Sequence, residues 1–205
     1  MKQQPDSFFR EFLAKFTEHK LAMLGVVVLV LMILTVIFLP ILMKLDPIKS
    51  DIMAFSAKPS SVYPLGTDSI GRNLFARFLY GGRVSMTVGL LSSLIGMCLG
   101  VPLGLLAGFY RGWVETIIMR AADIFMSFPS IIFILVLVAV VGPSIWSVTL
   151  VIGFLGWTQF ARLIYANVLS IREKEYVESA RAIGTSDFVT NTRYVLPNSF
   201  APILV

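Results

Sequence analysis

The sequence predicts an all-α fold, a polytopic α-helical membrane protein with four transmembrane helices, the start of a fifth, and a helix–turn loop facing water. Three observations predict it. Of 205 residues, 57% are hydrophobic and only 14% are charged, against about 25% charged in a soluble domain, and mean hydropathy is +0.83. Uncharged runs occur that reach the roughly 20 apolar residues needed to cross a bilayer. Near the C-terminus, "EYVESARAIGTSDFVTNTRYVLPN" (Glu175 to Asn198) is polar and rich in helix formers, a composition that lipid does not call for.

Residues 1–20 form a tail with the single histidine, His19. The first uncharged run, Leu21 to Met43, has 23 residues. A signal-peptide core has only about 7–15, and "KLDPIKSD" stands where a cleavage site would follow. The run therefore reads as an uncleaved transmembrane helix, 21–43. In the loop 44–83, "GTDSIGRNLFARFLYGGR" (66–83) predicts a short amphipathic helix lying at the membrane interface. Thr67 or Asp68 would cap it, with Ile70, Leu74, Phe75, Phe78 and Leu79 on its apolar face. It would set the entry angle of the second span or dock a partner.

The second uncharged run, Val84 to Tyr110, predicts a span over 84–109. Within it Ser92, Gly96, Gly100, Gly104 and Gly108 recur every four residues, a spacing that lets two helix backbones pack closely. Pro102 predicts a local bend. The third run, Ile124 to Ala161, has 38 residues, too many for one crossing. Gly142-Pro143-Ser144 breaks it, giving spans over 115–141 and 145–165. The former would be kinked at Pro129, with Arg120 and Asp123 as a local ion pair near its end.

Segments 1–20, 111–123 and 162–196 hold eleven Lys and Arg against six in 44–83. The excess predicts a cytoplasmic N-terminus, a cytoplasmic loop at 170–197 and an extracytoplasmic loop at 44–83. In the former loop, helix formers run from Ile171 to Ile183, Gly184 suits the position just past a helix end, and Thr185, Ser186 or Asp187 can cap a second helix. Pro197 suits the first turn of the next membrane helix. Tyr176, Val177, Ala180 and Ile183 form an apolar stripe flanked by Glu178 and Arg181. The whole predicts a compact knob shaped for a protein groove.

Several chemistries are excluded. One cysteine (Cys98) and one histidine support neither an internal disulfide nor an internal zinc or haem site. None of the seven lysines follows a glycine, so there is no phosphate-binding loop of the Gly-Lys-Ser/Thr kind. Gly-x-Ser-x-Gly, His-Glu-x-x-His and paired carboxylates in apolar surroundings are absent too. No catalytic residue, metal or cofactor is expected of this chain. The net charge of +5 belongs to water-facing loops and not to a nucleic-acid surface. Ion-driven carriers need ionisable groups at membrane depth, and only Arg120 and Asp123 come near. If this protein transports actively, its energy must come from another subunit.

The motif "ESARAIG" followed nine residues later by "YVLP" resembles the EAA loop of binding-protein-dependent ABC transporter permeases. Glu178, Ala180, Gly184, Leu196 and Pro197 match that pattern in identity and spacing; Ser179 replaces an alanine, and Tyr194 stands where isoleucine is usual. "YPLGTDSIGRNLFARFLYGGRVSMTVGL", which holds Leu65, Gly66, Thr67, Asp68, Gly71 and Arg72, is similar to the segment before the second span in the dipeptide/oligopeptide/nickel class. "GVPLGLLAGFYRGWVETIIMRAADIFMSFPSIIF" and "GWTQFARLIYANVLSIREKEYVESARAIG" are similar to that class as well, and "FTEHKLAMLGVVVLVLMILTVIFLPIL" resembles its C-type subunit.

The resemblance implies an importer subunit for peptides, nickel or metal chelates in the cytoplasmic (inner) membrane. It pairs with a second homologous permease, two ABC ATPases that carry ATP and Mg, and an extracytoplasmic binding protein. It implies an ATPase-coupling role for Glu178, Ser179, Ala180, Arg181, Gly184, Leu196 and Pro197. Family members continue for about two more spans, whereas residues 198–205 only begin a fifth, so half of the usual substrate path is expected to be absent here. A passive channel, an ion-coupled carrier and a non-transporting membrane scaffold are the competing classes.

Overall fold

The computed structural model describes residues 16–17 and 19–200. The expected tail 1–20 and the start of a fifth span, 198–205, therefore lie largely outside the described residues. The helices are α1 (Lys20–Leu42), α2 (Leu74–Tyr110), α3 (Gly112–Met126), α4 (Ser130–Val141), α5 (Ile145–Ile171), α6 (Glu175–Ala182), α7 (Asp187–Val189) and α8 (Leu196–Phe200), with a π-helical turn at Thr190–Val195 between the last two. Among the described residues three helices, α1, α2 and α5, are long and apolar enough to cross a membrane, and α3 with α4 makes a fourth if the bent pair is one span. Two compact units divide the chain, residues 1–86 and 87–205.

In the first unit α1 is apolar all round, and of its 23 residues only Val36 and Pro40 are buried. Such a helix has no stripe to turn inward, and its solvent is lipid. Pro40 has no N–H, so the Val36 carbonyl loses its helical donor. Arg83 fills the gap: its Nη2 donates to the carbonyls of Val36 (3.3 Å) and Ile37 (2.9 Å).

The amphipathic helix expected over 66–83 is not a separate element. The chain stays non-helical to Asn73, and α2 then runs unbroken for 37 residues. The cap is Asn73, not Thr67 or Asp68: its Oδ1 accepts from the N–H of Phe75 and Ala76 at 2.9 and 3.3 Å, the bonds that satisfy a helix's orphan first-turn donors. Of the expected apolar face, Leu79 is buried while Ile70 and Phe78 are exposed.

Residues 50–73 instead form a polar turn system. The Thr67 hydroxyl accepts from the N–H of Ala57 at 2.8 Å and donates to the carbonyl of Ala54. Asp68 accepts from the N–H of Ile70 (3.0 Å) and Arg72 (2.9 Å) and from the Arg72 guanidinium (2.8 Å). Those bonds, the Arg72 N–H first among them, hold its carboxyl at about 2, below the ordinary 3.8. Gly66 and Gly71 take φ of +77° and +79°, and a Cβ there would lie 2.4 Å from the Ala57 carbonyl oxygen and 2.1 Å from that of Asp51. Both positions therefore exclude side chains on conformation and on space.

In the second unit α2 and α5 pack backbone to backbone. A Cβ on Gly100 would meet the Trp157 carbonyl oxygen at 2.4 Å, one on Gly104 that of Ala161 at 2.3 Å, and one on Gly108 the Val168 side chain at 2.7 Å. Gly96 faces Gly153, Gly156 and Phe160 at slightly longer range. The four-residue stripe thus lies along α5, where bare backbone permits close dispersion contact.

Pro129 does more than kink the third span. Helices α3 and α4 meet at 85°, because Pro129 lacks a donor and biases Phe128 away from helical geometry. Aromatic rings pack around this elbow: Phe125 against Phe133, Phe154 and Trp157, and Phe128 against Phe133, with centroids 5.5–6.2 Å apart. The Gly142-Pro143-Ser144 turn follows α4. Ser144 caps α5 by accepting from the Ser147 N–H at 2.9 Å, and α5 runs past the expected residue 165 to Ile171.

Candidate functional site

The polar knob starts where α5 ends. Lys174 precedes α6, which carries Glu175 and Glu178 in its first turn and Arg181 in its last, the arrangement that complements a helix dipole. Gly184 has φ +82°. Its N–H donates to the Arg181 carbonyl at 2.9 Å and the Thr185 N–H to that of Ala180 at 3.1 Å. That pair of bonds is a Schellman stop, which needs a left-handed residue at this position. Of the three possible caps for the next helix, Ser186 serves: its hydroxyl accepts from the Val189 N–H at 3.4 Å. Helix α7 then widens into the π turn and tightens again into α8. Single π turns within helices are frequent at functional sites.

The apolar stripe expected to fill a partner's groove is split. Val177 and Ala180 point inward, and Val177, fully buried, joins Val101, Phe109, Ile164, Val168, Ile171 and Val195 in one cluster. These residues fasten the knob to the second unit's own core. Tyr176 and Ile183 stay out, Ile183 with 82% of its surface exposed, and Phe188 beyond the turn is 75% exposed. Helical spacing puts Tyr176, Val177, Ala180 and Ile183 on one stripe but cannot say which neighbour covers each. The outward apolar pair is Ile183 and Phe188, of which Phe188 was missed. Its signal was a lone aromatic directly after the Thr185-Ser186-Asp187 cap cluster.

Other matched positions fall as follows. Glu178 and Ser179 are exposed, and Leu196 and Pro197 are half-buried, with Leu196 against the core cluster. Arg181 lies over the Phe109 ring, Cζ 4.4 Å from its centroid. Arg172, which the sequence reading left out, donates from Nη1 to the carbonyls of Gly108 (3.2 Å) and Phe109 (2.9 Å). A cation there satisfies orphan acceptors at the C-terminus of α2. No local pattern could have shown this, since the bond spans more than sixty residues.

The segment Leu65, Gly66, Thr67, Asp68, Gly71 and Arg72 does not join the knob residues; it builds the first unit's turn system described above. A separate polar cleft of about 590 Å³ is lined by Glu115, Arg120, Asp123, Arg162 and Tyr165 among others. Asp123, expected to pair locally with Arg120, has its closer partner on α5: Arg162 at 2.5 Å, with Arg120 at 3.9 Å. The Tyr165 hydroxyl donates to the Glu115 carboxylate.

Residues 100–205 match the family described as binding-protein-dependent transport system inner membrane component, and residues 7–59 match the N-terminal TM domain of oligopeptide transport permease C. The chain is 36% identical to a glutathione transport system permease protein of Pectobacterium atrosepticum over 96% of its own length and 66% of that protein's. It is 34% identical to a dipeptide transport system permease protein of Alkalihalophilus pseudofirmus (96% and 65%). Against an oligopeptide transport system permease protein of Bacillus subtilis identity is 30% (97% and 65%). The chain thus spans just under two thirds of the length of these relatives.

Proposed function

The chain belongs to the binding-protein-dependent transport system inner membrane components, and from that membership we propose that it is one permease half of an ATP-driven importer of short peptides. The substrates in the relatives' names, glutathione, dipeptides and oligopeptides, favour peptides over the nickel or metal chelates that the resemblance also allowed. The other parts of the machine are a second homologous permease, two ABC ATPases that bind ATP and Mg, and an extracytoplasmic binding protein that delivers cargo. The N-terminus and residues 170–197 face the cytoplasm.

One observation carries the reading: the knob is fastened inward by Val177, Ala180 and Val195, yet leaves Ile183 and Phe188 exposed around a rigid glycine stop. Burying two such side chains in a groove contributes about 1.5–3 kcal/mol each, part of what would hold an ATPase against the helix. Glu178 stands exposed at the rim to make a charge-assisted bond. Leu196 and Pro197 direct the chain back into the membrane. ATP-driven closure of the ATPases then pushes on the knob, and the push opens the path.

The test replaces Cys98 with serine, places single cysteines at Ile183 or Phe188, and seeks disulfide or bifunctional crosslinks to the co-expressed ATPase. Crosslinks that weaken when the other position becomes aspartate, together with ATP-dependent peptide uptake, support the reading. Uptake that survives ATP depletion and collapses with the ion gradient would replace it with an ion-coupled carrier. An ATPase that still crosslinks without any uptake would leave only a scaffold.

A further inference from the structure

Resting on the coupling reading above, we propose that Arg181 is the positioning residue that ties α6 to the end of α2, by stacking its guanidinium on the ring of Phe109. A push on the knob is thereby delivered to a particular membrane helix.

Four observations meet at this joint. The Arg181 Cζ sits 4.4 Å above the Phe109 centroid, well inside the range of cation–π attraction. Phe109 is 3% exposed and belongs to the core cluster that also holds Val177, so its ring is fixed in place. The buried Nε of Arg181 has no hydrogen-bond partner among the described residues, so the ring face is the specific contact that holds the head group. Arg172 grips the Gly108 and Phe109 carbonyls of the same turn from the end of α5. Two arginines, Arg172 in the three-residue connection between α5 and α6 and Arg181 in the last turn of α6, therefore hold one turn of α2.

The two grips differ in kind. Arg172 makes directional bonds to backbone and keeps α5 and α2 in register. Arg181 lies on a π face, a contact that tolerates sliding and rotation of a planar cation while keeping it near the ring. The apolar contacts of Val177 and Ala180 are non-directional and hold α6 close without fixing where along α2 it sits. Only the Arg181 stack is both selective for Phe109 and able to survive a tilt of α6. A lysine would supply charge without the flat guanidinium, and a leucine at 109 would supply bulk without a π face.

The experiment uses the full-length permease with its sister permease, ATPases and binding protein in proteoliposomes, and an isotope-labelled mixture of di- to pentapeptides as cargo. The readout is peptide taken up per ATP hydrolysed, alongside the yield of co-purified ATPase. Phe109→Leu should lower uptake per ATP about five- to tenfold while leaving ATPase yield unchanged, and Arg181→Met should lower uptake per ATP by as much. Phe109→Tyr, which keeps the ring, should stay near wild type. The double variant should be no worse than the worse single one, because both remove the same contact. Phe109→Leu conserves enough apolar volume to fold, and it carries the test alone if Arg181→Met does not assemble. A wild-type ratio in Phe109→Leu, or losses that multiply in the double variant, would overturn the joint while leaving the coupling reading intact. Wild-type vesicles that retain no ATPase would overturn the coupling reading itself, a result read from a different measurement.

Discussion

Gly66, Gly71 and Gly184 share one backbone conformation, φ between +77° and +82°, and sit in opposite surroundings. At the first two a Cβ would run into backbone carbonyls at 2.4 and 2.1 Å, whereas at Gly184 nothing lies within 4 Å. The turn system of residues 50–73 closes on itself, with Thr67 and Asp68 bonded to the backbone around them. The knob at 171–200 turns by the same device but leaves its outer side open, with Ile183 and Phe188 uncovered. A left-handed glycine can therefore serve internal closure or external presentation, and its surroundings, not its dihedral, say which.

The contrast is broken most forcefully at Gly71. Gly71→Ala forces a left-handed alanine against the Asp51 carbonyl and should destabilise the first unit by about 3–4 kcal/mol, adding left-handed strain to overpacking. Thermal unfolding in detergent, read with limited proteolysis within 50–73, checks this. If Gly184→Ala cost as much, the contrast would fail. With open space around it, that variant should lose only about 1–2 kcal/mol of backbone strain, and Gly184→Asn less, since asparagine tolerates the conformation.

A third test sharpens the open side. Ile183→Asp with Phe188→Asp should leave the unfolding temperature nearly unchanged, within about 0.5 kcal/mol as for other exposed positions, while reducing retention of the ATPase on the purified permease. Val177→Asp, one helical turn before Ala180 but fully buried, should instead unfold the knob. The smallest effect is expected in acid. The folded carboxyl of Asp68 is depressed to about 2 from 3.8, so its contribution is complete above about pH 4 and is lost as pH falls through about 2. Hydrogen exchange at Ile70 and Arg72 should rise across that window in the wild type and be flat in Asp68→Asn.

Much of this was legible in the sequence, for reasons visible in particular residues. Uncharged runs located the spans because lipid leaves no other choice of composition. Gly184 marked the helix stop because few residues other than glycine tolerate φ of +82°, and the four-residue glycine stripe marked a close helix contact. Hidden were the facts that depend on distant partners. Helix α2 starts at Leu74 because Asn73 caps it, although Thr67 and Asp68 looked equally suitable. Their side chains are taken by Ala57 and Arg72. Pro129 announced a bend but not a right angle, which also draws on Phe154 and Trp157 from another helix. Val177 and Ile183 lie on the same turn-spaced stripe, and only tertiary packing sends one inward and leaves the other outside.

The glycine seam between α2 and α5 has a mechanical consequence. Two helices in such close backbone contact have few side-chain rotamers between them to absorb a shift, so a displacement of one bears directly on the other. Arg172 locks that pair at its end, and the pair therefore behaves as a single beam. The right-angled elbow at residues 127–129 lies outside that pair and interrupts the helical hydrogen-bond ladder between α3 and α4.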